Sequence, residues 1–529
     1  LEAVKDCLSI AHISIDEVDM IAVSWMPKLA IREQYLRYAL KNDKRLAFLI
    51  DDLELIKNMF NLENIIPKKL NYNGRIEYIN HHLCHLASTY YSSGFDDALV
   101  VSYDGVGEID TMTIATGDNG LISIKENNNK YPHSLGLLYA AVTHYLGWKY
   151  SYDEGIVMGL ASLGNPNAII PGKDISYLKV FEKTLEIKDD FTYELNFPDY
   201  MNFFDARDVW VGNKFIDYFG VKRDKKDKIT QHHMNIAAGL QKRIEDVVIF
   251  QLKAAKKKFK KSKLCISGGV GLNCTMNGKI SSSKIFEEIF VVPPSGDEGT
   301  TIGACYLGHK LLGHKISTKK RHNFYLGSRF NDKEILNTIS DYDLNYYKSE
   351  NLYKDTAERL ANGKIVAWFQ GGAEFGPRAL GNRSILTKPY PAEMKDYLNK
   401  RVKFREAFRP FAPAVLKEYA NDYFNIEQES PHMLMAVKAK DNKKEKIAST
   451  VHSDGTSRVQ TVGKENNLHF WKLLNAFYDK TKIPVILNTS FNVKGQPIVN
   501  KPKEAIETFL STNIDCLIIG SFIVDKKKN

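Results

Sequence analysis

The sequence predicts an α/β protein, α+β overall, and three observations carry that expectation. Short apolar runs recur ahead of glycine-rich turns: Ala98 to Tyr103 before Asp104-Gly105, Leu264 to Ile266 before SGGVGLN, and Ile365 to Phe369 before GGAEFGPRALGN. Helical patterns separate these runs, the longest from His233 to Lys257 with Ile236, Leu240, Ile244, Val247 and Leu252 near helical spacing. At 529 residues the chain exceeds one ordinary hydrophobic core, so two or three domains are expected.

In chain order, residues 1–75 read as helices around one strand, Met20 to Ser24, with no cluster of reactive groups. The chain opens without Met in a helical pattern too acidic for a signal or transit peptide, and an N-terminal segment is expected to be absent. Residues 131–164 hold a helix with Leu138, Ala141 and Tyr145 toward the core, then a turn at Asp153-Glu154-Gly155. Lys173 to about Lys228 is charged and aromatic without a motif and reads as an insertion or cap. The strand Ile289 to Val292 exits into PPSGDEGTTIGACYLG. The polar stretch 316–350 marks an expected boundary between domains 1–335 and 350–529. Beyond it, strands are expected at Ile365 to Phe369, Val485 to Leu487 and Cys516 to Val524, with Asp441 to Lys446 as a charged loop or hairpin tip. There is no internal repeat.

Composition narrows the class. With 43% hydrophobic and 26% charged residues the chain is an ordinary globular one, and no apolar run approaches the ~18 residues that span a bilayer. The cysteines at 7, 84, 265, 274, 305 and 516 form no C-x-x-C pair, which argues against a disulfide framework or structural zinc and for a reducing cytoplasm. The net charge of +10 sits largely in Lys256 to Lys263 and Lys526 to Lys528, runs that read as solvated faces or tails, so nucleic acid is the lesser expectation.

Four places invite chemistry. In INHHLCHLAS, His81 and His85 are four apart, which on a helix puts both imidazoles on one face, as metal binding requires, although such pairs also serve caps and cores. His82 stands where a zinc protease needs Glu, which removes that class. Asp104 at a strand end, followed by Gly105, can hold a cation or water against phosphates. The turn Ser267 to Asn273 sets N–H groups at a helix start, suited to a nucleotide or phosphate, and Asp297 at another strand exit could complete a His, His, Asp metal site. In the second half, Arg378 and Arg383 alternate with glycines over Phe369 to Leu386, which reads as an anion cradle against the plainer reading of a surface loop with solvated arginines. VKFREAFRPFAP, SDGTSRVQ and ILNTSFNVKGQPIV again couple polar or cationic residues to a constrained backbone.

Taken together, HHLCH, SYDGVGE, DEGIVMGLA, SGGVGLN, PPSGDEGTTIGA, EFGPRALGNRSIL, FRPFAP and NTSFNVKG resemble the O-carbamoyltransferase family that decorates antibiotics and nodulation factors. The resemblance runs in the family's order from about residue 75 to the end. It implies an actin-like ATPase-fold N-terminal domain, related to the threonylcarbamoyl transferases, followed by a YrdC-like α/β domain. It also implies that the C-terminal domain joins carbamoyl phosphate and ATP, with Mg2+, into carbamoyl adenylate. The N-terminal domain would then carbamoylate a hydroxyl of a small-molecule or sugar acceptor near bound iron (Fe2+) or a similar divalent metal. His81, His85 and Asp297 match the family's metal ligands. Asp104 matches the acid of its phosphate loop, with Gly105 beside it, and Ser267, Gly268, Gly269 and Asn273 match its nucleotide turn. Arg378, Lys403, Arg409, Arg458, Asn488 and Ser490 match positions around carbamoyl phosphate and ATP, and Arg405 adds a further cation against their repulsion. The resemblance implies no membrane, disfavours nucleic acid, and leaves a homodimer as a possible assembly.

Two departures stand out: Gly372-Ala373 replaces an Arg-Met-like pair, and the family's His-Asp-Ser-like loop precedes anything visible in this chain. A tRNA threonylcarbamoyl transferase would share the metal and SGG motifs without needing the C-terminal block. A hydrogenase-maturation enzyme would carry C-x-x-C zinc motifs, which are absent. A catalytically impaired ligand-binding homologue is the reading outside enzymes.

Overall fold

The computed structural model describes residues 1–40, 42–206, 209–318 and 321–527, with the backbone alone at 126–128. The chain divides into two compact units, residues 1–276 with 283–322, and residues 277–282 with 323–529.

The first unit is built on a five-stranded sheet. Its order is Leu121–Lys130, Asp110–Asp118, Asp97–Tyr103, Lys263–Ser267, Glu288–Val291. The first three strands are antiparallel, and the last two run parallel to Asp97–Tyr103. The central strand is buried at every residue from Ala98 to Tyr103, as its unbroken apolar run requires of a strand covered on both faces. Helix His81–Ser93 packs on this sheet, and helix Thr300–Leu311 packs on that helix. The two helices touch so closely that a Cβ on Gly303 would lie 1.8 Å from the Cys84 carbonyl oxygen. The long amphipathic helix is Gln231–Phe259, and it packs against helices Tyr177–Thr184 and Glu154–Ala161.

Residues 1–79 add short helices and a parallel pair, Met20–Val23 with Arg75–Tyr78. The segment read as an insertion folds on its own aromatics, with Tyr177, Phe181, Phe215 and Phe219 buried together.

The second unit carries an eight-stranded mixed sheet. Its order is Asn345–Lys348, Phe522–Asp525, Cys516–Ile519, Val366–Phe369, Arg383–Thr387, Val485–Ser490, Ala412–Leu416, Gln460–Val462. Both faces are covered, and alternation along the strands shows it. Ile365, Ala367 and Phe369 join one core, whereas Val366 and Trp368 join the other.

Three sequence expectations change here. The single strand expected over Cys516 to Val524 is a hairpin, Cys516–Ile519 and Phe522–Asp525, because Gly520 takes φ +55 and reverses the chain. The polar stretch around 316–350 is not merely a connection: it supplies helix Asp332–Ser340, closed by an Asn331/Glu334 capping box, and the edge strand Asn345–Lys348. The charged tip near Asp441 is a pair of short helical turns within Asp441–Thr450, broken by a kink at Ile447. Among the described residues no helix is long and apolar enough to cross a membrane.

Candidate metal centre and cationic site

In the first unit the helix His81–Ser93 is fixed at its start. Asn80 Oδ1 accepts from Leu83 N at 2.9 Å. The buried carboxylate of Glu108 accepts from His81 N at 3.0 Å, Met26 N at 2.9 Å and Asn80 Nδ2 at 2.8 Å. An anion there also faces the positive end of the helix dipole. The backbone under both imidazoles is therefore held from three directions.

The two Nε2 atoms stand 3.1 Å apart. Asp104 Oδ2 lies 3.3 Å from His81 Nε2 and 3.7 Å from His85 Nε2, and Asp297 Oδ1 lies 3.5 and 3.8 Å from the same atoms. Four tetrahedral N and O donors at about 2.0–2.2 Å from one ion would sit about 3.3–3.6 Å from each other. The observed separations fall within a few tenths of an ångström of that, so the donor set fits a divalent metal. His81 Nδ1 lies 3.2 Å from the Ser24 carbonyl oxygen, and donating there leaves the Nε2 lone pair for a ligand. His85 Nδ1 is buried with no partner among the described residues.

The electrostatics agree with a site shaped for charge. Burial opposes the charge on His81, but hydrogen bonds to Asp104 and Asp297 outweigh it and lift its pKa to about 10, so a metal ion at Nε2 would displace a proton. His82, one residue away, is pushed down to about 3 by burial and is a neutral neighbour bonded to Thr113 Oγ1 at 3.1 Å. The imidazoles draw Asp297 down to about 2, and hold Asp104 well below the ordinary carboxylate range despite its burial. Asp297 is exposed and forms the mouth of the cluster, whereas Asp104 is buried beneath it.

Asp104 has a second task. Its Oδ1 accepts from Gly269 N at 2.8 Å, which ties the histidine cluster to the glycine turn. That turn needs glycine: Gly268 takes φ +86, and a Cβ on it would lie 2.1 Å from the Tyr103 carbonyl oxygen. Beside Gly105 there is open space, since a Cβ there would meet nothing within 4 Å. Ser267 and Asn273 face inward instead. Ser267 Oγ is buried and donates to Val101 O at 3.3 Å, and the Asn273 amide is taken up by Gln241 at 2.9 and 3.0 Å and by Met276 N at 3.0 Å. These two residues shape the turn, Gly269 N is taken by Asp104, and the open position is at Gly105. Sequence reasoning had Asp104 hold a cation or water against phosphates without joining it to the histidine pair, and passed over Glu108, although both acids stand in SYDGVGE at the end of the central strand.

In the second unit the cations gather near the end of the strand Val485–Ser490. Burial, then Arg409 and Arg458, and more weakly Arg378, pull the pKa of Arg405 down to about 9. Lys403 is driven well below the ordinary lysine range by burial and by Arg405 and Arg409. Glu406 is the nearby counter-charge, 3.6 Å from both Arg409 and Lys494. The Arg405 guanidinium stacks 4.5 Å over Phe411, and its Nε has no partner among the described residues. Asn488 Nδ2 donates to Gln460 Oε1 at 3.0 Å, while its buried Oδ1 has no donor among the described residues.

Lys403 does not point its donors outward. Its Nζ meets the carbonyl and hydroxyl oxygens of Ser490 and, at 2.9 and 2.8 Å, the carbonyl and side-chain oxygens of Asn492. Four acceptors for three N–H bonds make it a fastening for the end of strand Val485–Ser490.

Arg383 is a correction of a different kind. It is fully buried, its guanidinium lies 3.6 Å over the Phe369 ring, and it donates to Gln370 O at 2.7 Å, Ser328 O at 3.0 Å and Asn382 O at 3.1 Å. Backbone carbonyls satisfy it, so it braces the loop and does not cradle a ligand anion. Arg383→Ala is expected to lower unfolding stability by more than about 3 kcal/mol in urea titrations, because several buried carbonyls lose their donor.

The comparisons with known proteins fall on both units. The family description "Carbamoyltransferase N-terminus" matches residues 1–306, and "Carbamoyltransferase C-terminus" matches residues 357–526. A Synechocystis protein of undescribed activity is 34% identical, over 99% of this chain and 90% of its own length. Nodulation protein NolO of Bradyrhizobium diazoefficiens is 36% identical over 85% of this chain and 79% of its own length. The 3'-hydroxymethylcephem-O-carbamoyltransferase of Amycolatopsis lactamdurans is 33% identical over 49% of this chain and 48% of its own. With both halves of the family matched in order, the chain belongs to the O-carbamoyltransferase family and is an enzyme of that kind.

Proposed function

We propose that this carbamoyltransferase is ATP-dependent and works in two steps, one in each unit. The C-terminal unit, read as YrdC-like, forms carbamoyl adenylate from carbamoyl phosphate and ATP. The N-terminal unit, read as actin-like, transfers the carbamoyl group to a hydroxyl of a small-molecule acceptor. The strand order of the five-stranded sheet, three antiparallel strands followed by two parallel ones, supports the second description.

The observation that carries this reading is the gathering of Arg378, Lys403, Arg405, Arg409 and Arg458 about one place with Glu406 as the nearby carboxylate. Repelling cations are held together in a fold only at a cost, which polyanionic substrates offset. Water attacks the phosphorus of carbamoyl phosphate, the P–O bond to the carbamoyl oxygen breaks, and inorganic phosphate and carbamate result; a carbamate oxygen then attacks the α-phosphorus of ATP and displaces pyrophosphate. Arg405 and Arg409 would neutralise the charge that builds on the phosphoryl oxygens. Lys403 would keep Ser490 and Asn492 in place around them.

In the N-terminal unit His81, His85, Asp104 and Asp297 would hold iron(II) or a similar divalent ion. Such an ion, when bound, supplies Lewis acidity toward a carbamoyl oxygen. The chain's own residues do the placing: the open space at Gly105 leaves room for the adenylate phosphate, and Asp104, bonded to Gly269 N, couples the glycine turn to the histidines. The acceptor hydroxyl attacks the carbamoyl carbon, loses its proton, and AMP departs. The O-carbamoyl named for the cephem relative supports a hydroxyl as the acceptor group.

Carbamoyl-phosphate-dependent release of pyrophosphate from ATP by the full chain tests the first step, and mass spectrometry of carbamoylated alcohols tests the second. Absence of pyrophosphate release by iron-loaded, folded protein would overturn the proposal.

A further inference from the structure

Glu108 ends the loop that begins at Asp104, and it is a buried carboxylate, 1% exposed, that the steps above do not use. Its side-chain partners among the described residues are N–H groups. Oε1 accepts from His81 N at 3.0 Å and from Met26 N at 2.9 Å, and Oε2 accepts from Asn80 Nδ2 at 2.8 Å. Burying a carboxylate is costly, and these donors together with the positive end of helix His81–Ser93 offset that cost. The backbone of the residue is aimed as well. Gln34 Nε2 donates to Gly107 O and Glu108 O at 2.6 and 2.8 Å, and Arg45 Nη2 donates to Gln34 O at 2.9 Å.

What Glu108 holds is His81, at both ends of the residue. Directly it takes the backbone N–H. Indirectly it fixes the ring: Met26 N belongs to segment 24–26, and the Ser24 carbonyl oxygen of that segment lies 3.2 Å from His81 Nδ1. With the Nδ1 proton donated there, Nε2 keeps its lone pair toward His85, Asp104 and Asp297. The same segment reaches a second member of the cluster. The Ser24 and Thr300 hydroxyls lie 2.7 Å apart, and Thr300 Oγ1 donates to Asp297 O at 2.6 Å. Residues 24–34, which read in the sequence as free of chemistry, thus enter the site through one carboxylate.

We infer that Glu108 is a positioning residue of the metal centre: it ties segment 24–26 to the start of helix His81–Ser93, so that His81 presents Nε2 and Asp297 stands across from it. The inference rests on the reading of His81, His85, Asp104 and Asp297 as metal ligands. A role in stability alone gives a different result, a lower melting temperature with metal affinity intact.

The test is competitive titration of the full, metal-free chain with Co2+ against a chromophoric chelator, read beside thermal melting. Glu108→Gln keeps the size of the side chain but turns an –NH2 toward groups that are themselves donors. It is expected to weaken Co2+ binding about 10- to 100-fold, the usual effect of removing a partner that orients a ligand. Asn80→Ser keeps an acceptor for Leu83 N and removes the donor to Oε2, and about tenfold weakening is expected. Leu252→Ala opens a cavity on the buried face of helix Gln231–Phe259 and should lower the melting temperature with Co2+ affinity unchanged. If Glu108→Gln does not fold, Asn80→Ser decides. Affinity within about threefold of wild type in the deciding variant overturns the inference, and so does an equal loss of affinity in Leu252→Ala. A wild-type chain that takes up no stoichiometric Co2+ removes the metal reading and the inference with it, whereas equal uptake by wild type and the folded variant removes the inference alone.

Discussion

Replacing His81 and His85 together with alanine is expected to remove one equivalent of divalent metal per chain and to slow carbamoylation of any acceptor by about a thousandfold. The magnitude follows from the several kcal/mol that a Lewis acid contributes, about 4 kcal/mol for three decades of rate. Pyrophosphate release should persist, because none of the cations around Arg405 belongs to the unit that carries these histidines. The geometry makes the pair the right target. His81 Nε2 and His85 Nε2 are 3.1 Å apart, and each lies within 3.8 Å of both Asp104 and Asp297, so losing both leaves two carboxylates that repel each other. His85→Gln is the gentler variant, since it keeps a polar side chain in a fully buried place. Elemental analysis of purified protein decides the matter. Full metal content in the folded double variant would remove these histidines as ligands.

The reasons why part of this site could be read from the sequence and part could not are physical. An i, i+4 histidine pair announces itself because helix periodicity is local, and glycine turns announce themselves because only glycine takes backbone such as that of Gly268 at φ +86. Asp104 did not announce its second face, because whether a carboxylate at a strand end meets a phosphate or an imidazole depends on a helix that packs from elsewhere in the chain. Arg383 shows the reverse error. Its setting among glycines looked like an anion cradle, but the carbonyls of Gln370 and Asn382, at the two ends of its own loop, and of Ser328, from far along the chain, turn it into a brace. Apolar runs made Asp97–Tyr103, Lys263–Ser267, Glu288–Val291, Val366–Phe369 and Val485–Ser490 legible, whereas strands that mix polar residues into the pattern, such as Asp110–Asp118, Arg383–Thr387 and Gln460–Val462, were not. The hairpin at Gly520 was not, because Ile518 to Val524 is apolar enough to read as one strand when the turn is two residues long.

Arg405→Ala and Arg409→Ala should each cut carbamoyl-phosphate-dependent pyrophosphate release by about a hundredfold, close to 3 kcal/mol, the usual loss when one fixed donor to a developing charge is removed. Lys403→Met should be as damaging by a different route. The ammonium of Lys403 is spent on Ser490 and Asn492, so it acts on the substrates through the loop it fastens. Arg405 has an Nε without a partner among the described residues and is pressed by Arg409 and Arg458, which is the state of a donor waiting for an anion. Kinetics can tell contact from positioning. For the arginine variants the Michaelis constant for carbamoyl phosphate should rise together with the fall in kcat, and added guanidinium should restore part of the rate. Lys403→Met should lose kcat and thermal stability together, Lys403→Arg should fail to rescue because the planar fork cannot reach four oxygens grouped around one point, and added alkylamine should restore nothing. Rescue of Lys403→Met by an alkylamine, with unchanged thermal stability, would return Lys403 to the substrate and leave the 490–492 segment to be held by the Ser490 and Asn492 side chains, which lie 2.7 Å apart.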